Sequence, residues 1–134
     1  MLEEIAGGRS AAVLHQSGIS DTRAGGGPTL AQANMAGPLR IARACQAGGA
    51  RLVYASSHSV YGVLRRREPA GEGAEDDPGQ CSGPLNPYAR SKLALDRAMR
   101  AQFSGTSLWW AGLRYTGSGT VAGEQGTVAL ERRR

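Results

Sequence analysis

At 134 residues and 14.0 kDa the chain has room for one compact domain, or part of one, and not for the two-lobed body of most cofactor-dependent enzymes. Leu, Ile, Val and Phe make up 22 of the 134 residues against 21 Ala and 20 Gly, so the apolar content is small in volume and the core is expected to be thin. The net charge of +5 rests on 15 Arg and one Lys, a lopsided balance that reads as codon bias more than as a phosphate-binding surface, and nucleic acid is not favoured as a partner.

Short apolar runs alternate with helix-like blocks, the pattern of a parallel α/β sheet with crossover helices. Ala11 to Leu14 is a continuous apolar run that stops at His15-Gln16-Ser17-Gly18, as a buried parallel strand ending in a polar loop does. Asp21 to Pro28, with consecutive glycines at 25, 26 and 27, reads as a flexible loop. The following block keeps Leu30, Asn34, Ile41 and Cys45 on roughly one helical face and stops at Gly48-Gly49. Gly37-Pro38 sits inside it, and because an interior proline costs ~3 kcal/mol the helix is expected to kink or to begin there.

Arg51 to Ala55 is dense in β-formers and predicts a second strand, with Ser56 and Ser57 at its carboxyl end. Residues 62–86 are a polar excursion containing Arg65-Arg66-Arg67. Asn86-Pro87 is a strong helix start, and Leu93, Leu95, Ala98 and Met99 carry the helix to about Gln102. A third strand is expected from Ser107 to Tyr115. The domain is placed at residues 1–115, and 116–134, which lack a clear period and end in three arginines, read as a poorly ordered tail. Cys45 and Cys81, 36 residues apart and without metal-ligand spacing, read as reduced, independent thiols, and no metal is expected. No apolar run approaches the ~18 residues of a membrane span, and Met1-Leu2-Glu3-Glu4 has the wrong charge for a signal peptide, so a soluble cytoplasmic protein is expected.

In open parallel sheets ligands gather at the carboxyl ends of the strands, which brings His15 to Thr22 and Ser56 to Gly62 together by topology. The helix after the second strand opens with Tyr88-Ala89-Arg90-Ser91-Lys92, and a spacing of four puts the phenol and the only lysine of the chain on one face. A phenol of pKa ~10 is a poor base at neutral pH, and a nearby cation favours its phenolate. Ser57 could hold a substrate hydroxyl while Tyr88 removes its proton. Each feature alone has a plainer explanation: a surface Tyr and Lys pair, a serine turn, a hydrogen-bonded strand-end histidine at His15. Their joint order separates the two explanations.

The succession VLHQSGISDT, ANMAGPLRIARA, RLVYASSHSVYG and PLNPYARSKLALD, running from about Ala11 to Tyr115, resembles the central part of the extended short-chain dehydrogenase/reductase family, the NAD(P)-dependent nucleotide-sugar epimerases and dehydratases. Within it, HQSGISDT and WAGLRY are similar to the ADP-L-glycero-D-manno-heptose 6-epimerase group. The resemblance implies a partial Rossmann-like βαβαβ core, NAD or NADP as cofactor, a nucleotide-sugar substrate and, for complete members, frequent homo-oligomers. It implies Tyr88 as catalytic base or acid, Lys92 on the nicotinamide ribose and Ser57 on the sugar oxygen. It further implies that Gln16, Ser17, Gly18, Ile19 and Ser20 line the cofactor and that Asn34 contacts it. Dehydratases of the family place an Asp-Glu pair after the strand-end hydroxyl, where this chain has His58 and Ser59, so epimerase or reductase chemistry is favoured.

Three departures accompany the resemblance. No GxxGxxG loop precedes Ala11, Tyr115 is followed by Thr116-Gly117-Ser118-Gly119 instead of Phe-Asn-Val-Tyr-Gly-Pro, and no second lysine exists. The expectation is an incomplete chain without the first βαβ unit and the substrate lobe, inactive by itself and with an exposed sheet edge. The competing reading is a non-catalytic remnant or interaction module of the same fold, or a different 4-epimerase or reductase of the family.

Overall fold

The computed structural model describes residues 1–19, 28–63, 80–115 and 127–131. The apolar run after Arg9 is strand β1 (Ser10–His15), and the two β-rich runs that follow are β2 (Arg51–Ser57) and β3 (Trp110–Tyr115). β1 and β2 pair in parallel, with Leu14 opposite Val53 and His15 opposite Tyr54. β2 and β3 also pair in parallel, with Leu52 opposite Trp110 and Ser57 opposite Tyr115. The expected βαβαβ core is therefore present, and the carboxyl ends of its strands lie on one side. β3 starts three residues later than the expected Ser107, because Thr106 ends the preceding helix in a turn: its Oγ1 donates to the Phe103 carbonyl and accepts from Leu108 N–H.

Helix α1 (Leu2–Ala6) has no counterpart in the sequence reading. Five residues are too few to hold a helix by hydrogen bonds alone, and it is held by burial of Ile5 against the end of the next long helix. There a Cβ on Gly48 would meet the Ile5 carbonyl oxygen, so only glycine admits the contact.

The block around Gly37-Pro38 resolves as a helix that changes pitch. Helix α2 (Pro28–Ala31) passes into a π-helical turn (Gln32–Ala36), and α3 (Gly37–Gly48) begins with Pro38 in its first turn. Pro38 has no N–H for the preceding turn, so a regular ladder cannot run through it; at a helix start the missing donor is tolerated. Gly49 closes α3 in the left-handed conformation, φ 66°. Helix α4 (Pro87–Phe103) starts where expected, with the Asn86 side chain accepting from Ala89 N–H at 2.8 Å.

Both crossovers step the same way along the sheet, so the right-handed rule puts α3 and α4 on one face. Under them, alternate strand residues Val13, Leu52 and Tyr54 join Ile41, Cys45, Leu95 and Met99 in a buried core. Its many small members, Ala42, Ala44 and Ala50 among them, fit the thin core expected from composition. Between β2 and α4 a short 3₁₀ turn (His58–Tyr61) leads into the polar excursion. Its two ends are tied by Ser82 N–H to the Val63 carbonyl and Gly83 N–H to the Tyr61 carbonyl. The arginine triplet and the triple-glycine loop lie outside the described residues.

One expectation needs correction for five residues. Residues 116–134 were expected to be a poorly ordered tail, but Thr127–Glu131 forms a strand, β4, antiparallel to β1 with Leu14 opposite Val128. The sheet order is thus β3-β2-β1-β4, with the outer edge of β1 paired. The physical reason is the edge itself: a row of open backbone donors and acceptors selects a β-forming segment such as Thr-Val-Ala-Leu-Glu although that segment has too little period to be read alone. Among the described residues β3 forms the other edge, with Leu113 and Tyr115 exposed. No helix among them is long and apolar enough to cross a membrane.

Candidate active site

The site lies where the carboxyl ends of β1 and β2 meet the first turns of α4. The Asn86 cap and Pro87 fix the start of α4, which places Tyr88 in its first turn and Lys92 one turn later, on the same side. Lys92 is 4% exposed, and its Nζ donates to the Ala55 carbonyl of β2 at 2.9 Å and lies 5.9 Å from the Tyr88 ring centre. Burial lowers the lysine's pKa from its ordinary value, and the charge of Asp96 opposes that shift.

The loop after β1 reaches the same point. A Cβ on Gly18 would sit 2.7 Å from Asn34 Oδ1 and 3.3 Å from Lys92 Nζ, so the loop backbone lies directly on both side chains. Asn34, fully buried in the π-helical turn, accepts from Ile19 N–H at 2.8 Å and donates to the Ile19 carbonyl at 2.9 Å. It also donates to Ser91 Oγ at 3.0 Å, and Ser91 in turn donates to the Tyr88 carbonyl at 2.7 Å. Such π turns recur at functional sites; this one ties the β1 loop to the first turn of α4. Beside it His15, 6% exposed, has its pKa lowered to about 4, by burial and then by the Lys92 charge, and is a neutral imidazole at pH 7.

Tyr88, Lys92, Gly18, Ile19 and Asn34 are therefore brought together. Gln16 and Ser17 lead from β1 into the same loop, Gln16 exposed and Ser17 half-buried, and Ser20 lies outside the described residues. Ser57 is two residues beyond the carbonyl that holds Lys92. Its Oγ lies 2.8 Å from Ser59 Oγ and accepts from Ser59 N–H at 3.2 Å, so it caps the 3₁₀ turn.

Beneath this site is a group of residues that the sequence reading passed over. Asp96, 4% exposed, accepts from Tyr54 Oη at 2.9 Å and from Ser56 Oγ at 2.8 Å. Arg114 of β3 adds Nε at 3.2 Å and an ion pair at 3.1 Å, and donates to Tyr61 Oη at 2.6 Å. Burial first, then the Asp96 charge, pushes the Tyr54 phenol far above its ordinary pKa. One signal was available: Asp96 stands four residues after Lys92, a charge among the apolar positions Leu93, Leu95 and Met99 of a core-facing helix. Cys45 and Cys81 are both buried, and burial raises the Cys45 pKa to about 11. No group of three metal-ligating side chains occurs among the described residues.

Residues 2–125 match the model of the NAD dependent epimerase/dehydratase family. Over 113 residues the chain is 33% identical to ADP-L-glycero-D-manno-heptose-6-epimerase of Thiobacillus denitrificans, covering 84% of this chain and 32% of that protein. The structure is similar to the Helicobacter pylori ADP-L-glycero-D-manno-heptose-6-epimerase, with TM-score 0.65 and 24% identity over 85% of this chain and 33% of that one. It is also similar to the UDP-glucose 4-epimerase of Thermus thermophilus in complex with NAD, with TM-score 0.64 and 26% identity over 86% of this chain and 38% of that one. The chain thus spans about a third of the length of the curated relative it matches.

Proposed function

The chain belongs to the NAD dependent epimerase/dehydratase family, and from that premise we propose that it holds the catalytic centre of a nucleotide-sugar epimerase using NAD or NADP. Residues 1–115 are assigned to a partial NAD(P)-binding domain. The observation that supports this reading most is the Lys92 ammonium, which is buried, bonded to the Ala55 carbonyl and set beside both the Tyr88 ring and the glycine backbone of the β1 loop. A buried cation under a loop glycine at the carboxyl end of a parallel sheet fits a ribose and nicotinamide, which need close backbone approach and a donor. Lys92 and the loop from Gln16 to Ser20 hold the cofactor in this proposal, and Asn34 fixes that loop.

When bound, the nicotinamide supplies the hydride exchange at a sugar carbon. Tyr88 takes the proton of the sugar hydroxyl at its Oη and returns it, and Lys92 stabilises the negative charge on that oxygen. Ser57 donates to the same sugar oxygen after exchanging its bond to Ser59. ADP-heptose, as acted on by the heptose epimerase relatives, is the substrate class proposed first.

No glycine-rich GxxGxxG loop occurs in these 134 residues, and the chain assayed by itself is expected to show no turnover and no tight NADH or NADPH binding. The catalytic assignment is tested in a chimera in which residues 10–115 replace the matching segment of a complete epimerase. Epimerisation that falls at least ~100-fold in Tyr88→Phe supports it; activity kept within tenfold overturns it.

A second reading, a remnant or interaction module without catalysis, is favoured by β4. In the dinucleotide-binding strand order the whole sheet is parallel, whereas here an antiparallel strand holds the outer edge of β1. A chimera that folds and binds NADH but does not epimerise favours this second reading.

A further inference from the structure

We propose that Asp96 is a positioning residue of this site: its carboxylate fastens the end of β2 and Arg114 of β3 to α4, one turn beyond Lys92, and so holds Lys92 as an ammonium against the Ala55 carbonyl.

Tyr54 and Ser56 flank Ala55, the residue whose carbonyl receives Lys92, and both hydroxyls donate to Asp96, one to each carboxylate oxygen. The β2 segment is thus pinned to α4 on either side of the lysine's acceptor. Arg114 extends the clamp: it approaches Asp96 through Nε and a terminal nitrogen and passes to Tyr61, the last residue of the 3₁₀ turn that Ser57 caps. A single carboxylate therefore links the seats of Lys92 and Ser57. Tyr88 itself starts the same helix.

Charge acts in the same sense. Among the described residues the titratable and charged groups around Lys92 are His15 from β1, Tyr54 from β2, Tyr88 and Asp96 from α4, and Arg114 from β3 through Asp96. The π-helical turn contributes only the neutral Asn34. Asp96 is the one anion among them at neutral pH, and it opposes the loss of the lysine's proton that burial favours. Asp96 is bonded to Tyr54, Ser56 and Arg114, which lie on β2 and β3 and not in the loop after β1, so its part is to act through Lys92. The proposal rests on the reading of Lys92 as the functional cation.

The chain's single lysine makes the test specific. With ¹³C,¹⁵N-lysine in the full chain, one side-chain Cε resonance followed against pH reports Lys92 alone. Asp96→Asn is expected to lower the Lys92 pKa by about one unit or more below the wild-type value, and Asp96→Glu to restore most of it. Mere loosening of the packing admits water and moves the value the other way, toward that of a free lysine. A folded Asp96→Asn chain with an unchanged or raised Lys92 pKa overturns the proposal. Should Asp96→Asn not fold, Arg114→Gln is read instead: removing the cation that Asp96 shares is expected to raise the Lys92 pKa by about half a unit or more with the α4 amide resonances in place, and no change overturns the proposal. Neither cofactor binding nor turnover enters this readout. An inactive chimera with a normal Asp96 effect therefore refutes the enzymatic reading and leaves the clamp, and the reverse result refutes the clamp alone.

Discussion

The two sides of strand β3 obey different physics. Toward α4, Arg114 is one-fifth exposed and meets Asp96, where Tyr54 and Ser56 also arrive; one residue to either side, Leu113 and Tyr115 stand in water at 42% and 49% exposure. With so little Leu, Ile, Val and Phe available, the seam between β2 and α4 is joined by a buried carboxylate and its donors as much as by apolar contact. Ionic joints of this kind add little net stability compared with a well-packed apolar substitute, but they fail badly when one partner is removed. They also fix geometry, since each donor has one place to go. The outer side of β3 has no such constraint, and its residues report only their own solvation.

The comparison is sharpened first by Asp96→Ala, which takes the ion-pair partner from a half-buried guanidinium and the acceptor from two buried hydroxyls. A loss of about 3–5 kcal/mol in urea unfolding is expected; a loss under about 1 kcal/mol would mean that water or rearrangement replaces the clamp. His15 provides the next test. The folded chain keeps this imidazole neutral down to about pH 4, whereas the unfolded chain protonates it near 6.5, so acid favours the unfolded state. Stability should fall by roughly 2 kcal/mol between pH 7.5 and pH 5, and the part due to this residue should vanish in His15→Gln. An identical pH slope in the two chains excludes it. Gly112→Ala comes third. A Cβ there lies 2.6 Å from the Tyr54 hydroxyl, so Tyr54 is pressed off Asp96 at a cost of about 1–3 kcal/mol, visible as a lower urea midpoint. Leu113→Ser, on the open side one residue away, should change stability by less than about 0.5 kcal/mol, and a larger loss would show that this side is covered in solution.

What could be read from the sequence was what local pattern encodes. The parallel strands are continuous apolar runs, Asn86-Pro87 is a cap followed by a proline, and Tyr88 and Lys92 share a helix face by spacing alone. The trouble at Gly37-Pro38 was visible too, although only the structure shows its resolution as a π-helical turn that turns Asn34 toward Ile19 and Ser91. Asp96 could not be assigned its partners, because they come from β2 and β3, 42, 40 and 18 residues away in sequence, and no local period links them. Helix α1 and strand β4 are five residues each, too short to declare themselves; one is held by the burial of Ile5 and the other by the open edge of β1. In both the decisive partner is remote, which is where reading by propensity ends.

The solitary lysine has a chemical corollary. Every other basic side chain apart from the two histidines is a guanidinium, so the one side-chain amine of the sequence is Lys92 Nζ, which stays bonded inside the seam. An acylating reagent can modify Lys92 only during moments when β2 and α4 part. The rate at which Lys92 is acylated is thus a clock for that opening, and its ratio to that of a free lysine gives the opening equilibrium of the seam without denaturant.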